Sequence, residues 1–190
     1  MRKRLVRRLA ALALLPGIAA AAAESPDIEV KVQVDGGDVH IESSVLVDAT
    51  PQEVWAVLTD FEHMPQFISN LRSSKVVARS GDMVTIAQSW EASFGPLGFI
   101  SESTRELRLA PYELIRSRLV SGNIKRFESV TRLRAEDGGT RITYVSDTDP
   151  GRWIPPVVGP HFIEHEAREQ FAETRREILR RKAAAASPPL

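Results

Sequence analysis

The residues of this chain whose spacing best suits chemistry are His161, Glu164 and His165, which form an H-x-x-E-H pattern on a predicted helix. Histidines four positions apart lie one helical turn from each other, so they could share a metal ion with the glutamate as general base. The same spacing also suits Glu164 for an i, i+4 ion pair with Arg168. Both histidines project away from the apolar stripe of this helix. We therefore predict the ion pair and no metal site.

Other arrangements for catalysis are weaker. The chain has no cysteine nucleophile, no G-x-S-x-G elbow and no glycine-rich phosphate loop. His40 and His63 are the remaining histidines, and we interpret His63 as a solvated side chain. The polar groups that strand alternation places inside the fold are mainly Gln88, Ser117, Ser129 and Tyr144. We therefore predict no catalytic residue and no cofactor.

Binding is better supported than catalysis. Alternating positions on the predicted strands mix apolar side chains with a few hydroxyl and amide groups, as small-molecule pockets do. Aromatic side chains in or beside loops 95–98 and 150–156 could cover an entrance. The candidate ligand-binding residues are Gln88, Trp90, Phe94, Phe99, Ser117, Leu119, Phe127, Ser129, Ile163, Ala167 and Phe171. The same residues could form an ordinary core, and no single position separates the two interpretations.

Arginines on the predicted strands allow two interpretations as well. They could bind an acidic head group, or they could pair across strands with Glu102, Glu106 and Glu128. The four arginines concerned are Arg105, Arg116, Arg118 and Arg126. The sequence leaves both interpretations open.

Residues 47–67 predict the end of a strand, a helix and a second short helical turn. Thr50 is a good N-cap, Pro51 occupies the first helical position, and Glu53 completes a capping box. The residues that follow place one apolar stripe on this short helix: Val54, Val57, Leu58 and Phe61.

Most of the remaining chain alternates with the period of strands. Two strands, 28–34 and 39–47, flank a hairpin turn at 35–37. Six more are predicted at 74–78, 83–91, 100–107, 113–120, 125–134 and 141–147. Short spacers between neighbours favour an antiparallel meander. A long helix then spans 160–182, with Ile163, Ala167, Phe171 and Ile178 on its single buried side.

This order predicts an α+β domain over residues 24–182, with an extra N-terminal strand and turn at 24–37. An antiparallel sheet of this length curls. Its concave face needs a cover, and the long C-terminal helix is the only element able to supply it.

The arrangement resembles the START-like (SRPBCC) superfamily, and within it the polyketide cyclase/dehydrase and coenzyme Q-binding-protein group. The matching residues are 45–51, Val54-Trp55, 58–61, Met64-Pro65 and Phe67, and the G-T-x-[hydrophobic]-x-Y pattern at 139–144. The resemblance implies a helix-grip fold: a curled antiparallel β-sheet wrapped around a long C-terminal helix, with two short helices after the first family strand. It also implies a ligand cavity between sheet and helix.

The two ends of the chain are predicted to lie outside the folded domain. Residues 1–23 combine a basic start, an apolar stretch and small residues, which predicts a cleaved signal peptide and export to the periplasm. Residues 183–190 are predicted to be a disordered tail. The whole chain has 25 basic and 25 acidic residues, and the predicted mature part has a net charge of −5 (20 basic, 25 acidic). This balance disfavours nucleic acid as a partner.

The sequence therefore predicts an exported carrier of a hydrophobic small molecule, a lipid, isoprenoid or quinone, held between sheet and C-terminal helix. Transient contact with a membrane is one route for ligand exchange. The alternative is a cyclase or dehydratase acting on a polyketide-like substrate in the same cavity. The resemblance implies this alternative, because some members of the polyketide cyclase/dehydrase group are such enzymes. This enzyme would need acid and base groups inside the cavity.

Overall fold

The computed structural model of the protein describes residues 28–94, 97–152, 154–155 and 158–186, with the side chains of 92–99 left out. The predicted signal peptide lies outside these residues. The elements in chain order are β1 (Ile28–Asp35), β2 (Asp38–Val47), α1 (Pro51–Leu58), a 3-10 turn (Met64–Gln66), β3 (Leu71–Ser80), β4 (Met83–Phe94), β5 (Leu97–Ala110), β6 (Leu114–Gly122), β7 (Arg126–Glu136), β8 (Gly139–Asp149) and α2 (Gly159–Ala186).

The strands form one antiparallel sheet in the order β1-β2-β8-β7-β6-β5-β4-β3. Every predicted strand is present, with ends displaced by no more than three residues. Strands that follow each other in the chain are neighbours, except that β2 pairs with β8. Register shifts interrupt the β3–β4 and β5–β6 pairs. Such bulges increase the local twist and help the sheet to curl. The predicted α+β helix-grip architecture is confirmed.

One predicted loop is shorter than expected. Leu97 and Gly98 belong to β5 and pair with Phe94 and Ser93 of β4. The backbone of Phe99 also lies in β5, opposite Ala92. Phe94 is therefore the last residue of β4, beside the predicted loop, and Phe99 is a strand residue of β5.

The helix α1 begins as the sequence predicts. The backbone N–H of Thr50 donates to the Glu53 carboxylate over 2.7 Å, and the N–H of Glu53 donates to the Thr50 hydroxyl over 3.3 Å. This reciprocal capping box fixes the start of the helix. Val54 and Val57 of the predicted stripe are buried, and Phe61 is buried just beyond the last turn.

The helix α2 is longer than predicted. It continues four residues beyond the predicted end at Lys182, so 183–186, which were predicted to be disordered, are helical. The physical reason is the high helix propensity of alanine, and no proline lies between Lys182 and Pro188. The rest of the predicted disordered tail, residues 187–190, lies outside the described residues. No helix in the described ranges combines the length and hydropathy needed to cross a bilayer.

The core consists of two clusters of buried side chains. The larger joins α1 and α2 to β1, β2, β7 and β8, with Val45, Val54 and Ile178 among its members. The smaller lies under β4, β5 and β6 around Ile86. Trp55 of α1 packs against both clusters. The short helix α1 therefore links the two clusters through Trp55.

Candidate ligand site on the inner face of the sheet

One face of the sheet, here called the inner face, is turned toward α1 and α2 and carries a row of serines across its centre. Ser117, Ser129 and Ser146 are successive cross-strand partners on β6, β7 and β8. All three are buried. The hydroxyl of Ser117 has no hydrogen-bond partner among the described residues. A buried hydroxyl without a partner is unusual and suggests that something polar completes the site.

The structure brings most of the predicted site residues together on this face. Gln88 and Trp90 lie on β4, Ser117 and Leu119 on β6, and Phe127 and Ser129 on β7. Cross-strand register joins them: Ser117 is the partner of Ser129 on β7 and of Leu107 on β5. The side chains of Phe94 and Phe99 fall outside the described part, as does Trp153. Whether these residues bind a ligand stays a prediction.

The residues predicted on the last helix lie opposite. Ala167 is buried, and Phe171 packs against the larger core cluster. The Phe171 ring meets the ring of Tyr144 on β8 edge to face, with centroids 5.5 Å apart. Ile163, one turn before Ala167, is half-buried. The helix therefore contacts the inner face through Phe171 at the position of Tyr144.

One of the four arginines whose role the sequence left open, Arg105, lies on the inner face. The Arg105 guanidinium donates to the side-chain carbonyl of Gln88 and lies over the Phe127 ring, 4.8 Å from its centroid. The Gln88 carbonyl also accepts a hydrogen bond from the Trp90 indole over 3.2 Å. The Gln88 amide nitrogen donates to the hydroxyl of Ser74 over 2.9 Å. Arg105 is thus held by neutral groups in a fixed orientation.

The electrostatic setting of Arg105 is unusual. The described residues provide no carboxylate within ion-pair distance of it, and its Nε atom is buried without a hydrogen-bond partner. Burial lowers the pKa of Arg105, and the nearby Tyr144 side chain acts in the opposite direction. An arginine stays protonated in proteins. The inner face therefore holds a positive charge that these residues do not neutralise.

Cross-strand pairing explains some of the arginines that the sequence left open, but not this one. Arg118 pairs with Glu106 at 2.7 Å, in agreement with the pairing interpretation, while Arg126 pairs with Asp38 at 3.0 Å. For Arg105, the pairing interpretation is wrong, because its side chain points to the inner face while Glu106 faces outward. A signal was available: Arg105 lies two residues before Leu107 and therefore shares the face of that buried residue.

Several large side chains of the inner face keep part of their surface accessible. Arg105 is enclosed by protein and nevertheless partly accessible. The same intermediate accessibility is found at Trp90, Leu119, Phe127, Tyr144 and Phe171. Large side chains that are surrounded by protein but not fully packed adjoin unfilled space. This accessibility supports a hollow between the sheet and α2.

Two depressions of the molecular surface lie elsewhere. Their volumes are about 480 and 470 Å³. Both are lined mainly by charged side chains of the opposite, outer face, such as Arg116 in the first and Arg132 in the second, and the first also reaches Ser117 and Ser129. Neither is apolar in the way a carrier site for a hydrophobic molecule would be. The support for the predicted cavity therefore comes from the accessibility of the inner-face side chains and not from these depressions.

The helix α2 crosses the inner face and is bonded at both edges of the sheet. On the β1 side, Arg168 donates to the carbonyl oxygen of Ile28 over 2.6 Å. On the β3 side, the side-chain amide of Asn70 donates to Glu166 over 2.9 Å. The helix therefore lies on the same side of the sheet as Arg105, bonded to residues before β3 and at the start of β1.

A network of charges holds the C-terminal half of α2. Arg180 and Arg181 each donate to Glu177 over 2.7 Å, and Arg181 also pairs with Asp60, just beyond α1, at 2.8 Å. Hydrogen bonds from Arg180, and then from Arg181, lower the pKa of Glu177 to about 2. Glu177 is therefore ionised at neutral pH, and the network ties α2 to the segment after α1.

The H-x-x-E-H residues at the start of α2 do not form a metal centre with their neighbours. Among the residues that the structure describes, no group of three His, Cys, Asp or Glu side chains could hold a metal ion. His161 and His165 are exposed. Glu164 pairs with Arg168 at 3.0 Å, which confirms the predicted i, i+4 ion pair.

Comparisons with known proteins agree with this geometry. The sequence profile of a family described as "Polyketide cyclase / dehydrase and lipid transport" matches residues 47–174. That range includes the capping box, the strands β3 to β8 and the first half of α2. No curated protein matches the sequence at a significant level.

Solved structures share the fold at low sequence identity. A STAR-related lipid transfer protein fragment from Xanthomonas axonopodis superposes with a TM-score of 0.66 at 16% identity, covering 83% of this chain and 96% of that one. The Zhui aromatase/cyclase from Streptomyces sp. R1128 gives 0.64 at 15% identity, with 80% and 99% covered. A START superfamily protein from Mycobacterium smegmatis gives 0.55 at 17% identity, with 78% and 99% covered. At these identities the likeness concerns the fold.

Proposed function

Because the chain belongs to the polyketide cyclase/dehydrase and lipid transport family, we propose that it is a carrier for a hydrophobic small molecule held between the inner face and α2. The ligand class is a lipid, an isoprenoid or a quinone. The observation that supports the proposal is the partial accessibility of large apolar side chains, such as Leu119 and Phe127, on the inner face.

Burial of an apolar chain supplies enough free energy for such binding. Each buried methylene contributes about 0.8 kcal/mol, so a chain of moderate length binds without a charged contact. The carrier would shield its ligand from water, and α2 with the nearby loops would open to admit it. Ligand exchange at a membrane surface fits this mechanism, because the ligand is poorly soluble in water.

The alternative is a cyclase or dehydratase that uses the same space. One of the structural neighbours is an aromatase/cyclase and another is a lipid transfer protein. Acid–base chemistry needs a group that can exchange a proton with the substrate. The strand residues of the inner face, as far as they are described, include no carboxylate or imidazole, and Tyr144 is the remaining candidate. This composition favours binding over catalysis.

Export is part of the proposal. The basic start, apolar stretch and small residues of 1–23 support a cleaved signal peptide, so the carrier would act in the periplasm. Fractionation of cells that produce the full chain with a C-terminal tag tests this. We expect the tag in the periplasmic fraction, with an N-terminus close to Glu24. A tagged protein that retains residues 1–23 in the cytoplasm would contradict export.

Analysis of the co-purifying molecule tests the carrier function. The full chain is expressed, the processed protein is purified, and native mass spectrometry is followed by organic extraction. We expect a hydrophobic molecule bound in a one-to-one ratio. Leu119→Trp should fill the space and reduce the bound fraction, whereas Val120→Trp on the exposed neighbouring residue, 56% exposed, should not. Protein that carries no ligand and binds none of a set of added lipids would contradict the carrier function.

A further inference from the structure

We propose that the hydrophobic ligand carries an anionic head group and binds with that group turned inward, onto the guanidinium of Arg105. This inference rests on the carrier function proposed above and specifies the chemical class of its ligand. Neither the family profile nor the structural neighbours assign a role to this residue.

The first argument is charge balance. An enclosed charge is costly unless it is paired and fully hydrogen-bonded. Arg105 has a neutral partner in Gln88 and a ring face in Phe127, and no carboxylate in the described part of the chain. None of the undescribed internal residues is acidic, and the acidic residues Glu24 and Asp27 precede β1, which lies five strands away from β5 in the sheet order. An anionic ligand would supply the missing countercharge.

The second argument is preorganisation. The hydrogen bond from the Gln88 amide to Ser74 fixes the direction in which the Gln88 carbonyl points, and this carbonyl accepts from Arg105. The guanidinium is thus held before any ligand arrives, which lowers the entropic cost of binding. Its Nε atom has no partner and is buried. The planar fork of donors on an arginine matches the oxygens of a carboxylate or a phosphate.

The third argument is the surroundings of the charge. Leu119 is the cross-strand partner of Arg105, and Phe127 lies beneath the guanidinium. Both are apolar and partly accessible. A positive charge flanked by accessible apolar surface suits an amphiphile, with its head on Arg105 and its chain against Leu119 and Phe127. A free inorganic anion would leave that apolar surface unused.

Isothermal titration calorimetry with three probes of equal chain length tests the inference: dodecanoic acid, dodecyl phosphate and 1-dodecanol, each below its aggregation concentration. We expect the processed wild-type protein to bind one or both anionic probes at least about tenfold more tightly than the alcohol. The stronger of the two anions identifies the head group as carboxylate or phosphate. Equal binding of all three would overturn the inference and leave the carrier function standing. Binding of none would overturn both.

Variants connect the preference to Arg105. Arg105→Met should reduce anion binding to the level of the alcohol, and Arg105→Lys should keep part of the preference, because it retains the charge without the planar fork. The matched control is Arg116→Met, an exposed outer-face residue, which should leave all three affinities unchanged. Undiminished anion preference in Arg105→Met would overturn the inference. If that variant does not fold, the wild-type comparison and Arg105→Lys decide the question.

Discussion

Arginines on the two faces of the sheet have different partners. On the outer face, Arg118 forms an ion pair with Glu106 at 2.7 Å and is largely exposed to water. On the inner face, Arg105 is bonded to the neutral Gln88 and stacked over Phe127, with no carboxylate near it in the described residues. The charge of Arg118 is neutralised by a carboxylate of the protein itself. The charge of Arg105 is oriented but not neutralised, as expected for a group that binds an anionic ligand.

The same contrast applies to stability. Exposed ion pairs contribute little to the free energy of unfolding, because water screens them and long side chains lose freedom. The inner face contributes through apolar burial against α1 and α2. Changes on the inner face should therefore have much larger effects than matched changes on the outer face.

The largest effect is expected for Ile86→Ala, which removes a fully buried inner-face side chain of β4. The lost burial and the remaining cavity should lower the free energy of unfolding by about 2–5 kcal/mol. The control is Val77→Ala on β3, where the side chain is 56% exposed and the change should stay within about 0.5 kcal/mol. Urea denaturation measures both. Equal losses would contradict the assignment of the two faces.

The next effect concerns the helix α2. Glu177→Gln removes the charge that accepts from Arg180 and Arg181. We expect a loss of about 1–2 kcal/mol in the free energy of unfolding, because part of this network is open to water. Thermal unfolding of the variant and of wild type at pH 7 measures the loss.

The pH dependence follows from the same group. The pKa of Glu177 is about 2 in the folded protein, against an ordinary value of 4.5. The contribution of Glu177 to the free energy of unfolding is therefore present above pH 4.5 and is lost as the pH falls toward 2. Urea denaturation at pH 7 and at pH 3 should show the difference between wild type and Glu177→Gln shrinking at the lower pH. A difference that is independent of pH would show that Glu177 is not ionised in the network.

A smaller effect is expected when a carboxylate is placed on the inner face. Leu119→Glu brings one opposite Arg105, its cross-strand partner. The internal carboxylate should compete with an anionic ligand and weaken the binding of dodecanoic acid by about tenfold. Leu119→Gln, which has the same shape without the charge, should weaken the binding less. Val120→Glu should leave the binding unchanged. Calorimetric titration checks the order of the three variants, and identical losses for Leu119→Glu and Leu119→Gln would contradict it.

The smallest effect is expected for Arg118→Met on the outer face. Its ion pair with Glu106 is exposed to solvent, so the free energy of unfolding should change by less than about 1 kcal/mol. The affinity for dodecanoic acid should not change. Weaker binding in this variant, measured by the same titration, would place the ligand on the outer face.

Much of the fold could be predicted because local patterns determine it. The capping box at Thr50 and Glu53, the alternation of the strands and the long apolar stripe of α2 each depend on neighbouring residues. The end of α2 was mispredicted, because the run of alanines before Pro188 resembled a tail although alanine favours helix. Local composition did not reveal that the helix continues.

The candidate site was less predictable, for a physical reason. Alternation assigns a residue to a face, and on that basis Gln88, Ser117 and Ser129 were found. Whether an arginine meets a carboxylate depends on the register between strands, and the register of β5 and β6 shifts between Thr104 and Arg105. Sequence alone does not show that shift. Alternation with Leu107 could have assigned Arg105 to the inner face. That no carboxylate of the described residues meets it there became visible only in three dimensions.

The central claim is that the space between the inner face and α2 holds the ligand. A crystal structure of the processed protein, crystallised with dodecanoic acid, tests it most directly. We predict the acyl chain against Leu119 and Phe127, with its carboxylate about 3 Å from the Arg105 guanidinium. An acyl chain found only in the outer-face depressions, or an inner space filled by side chains, would contradict the claim.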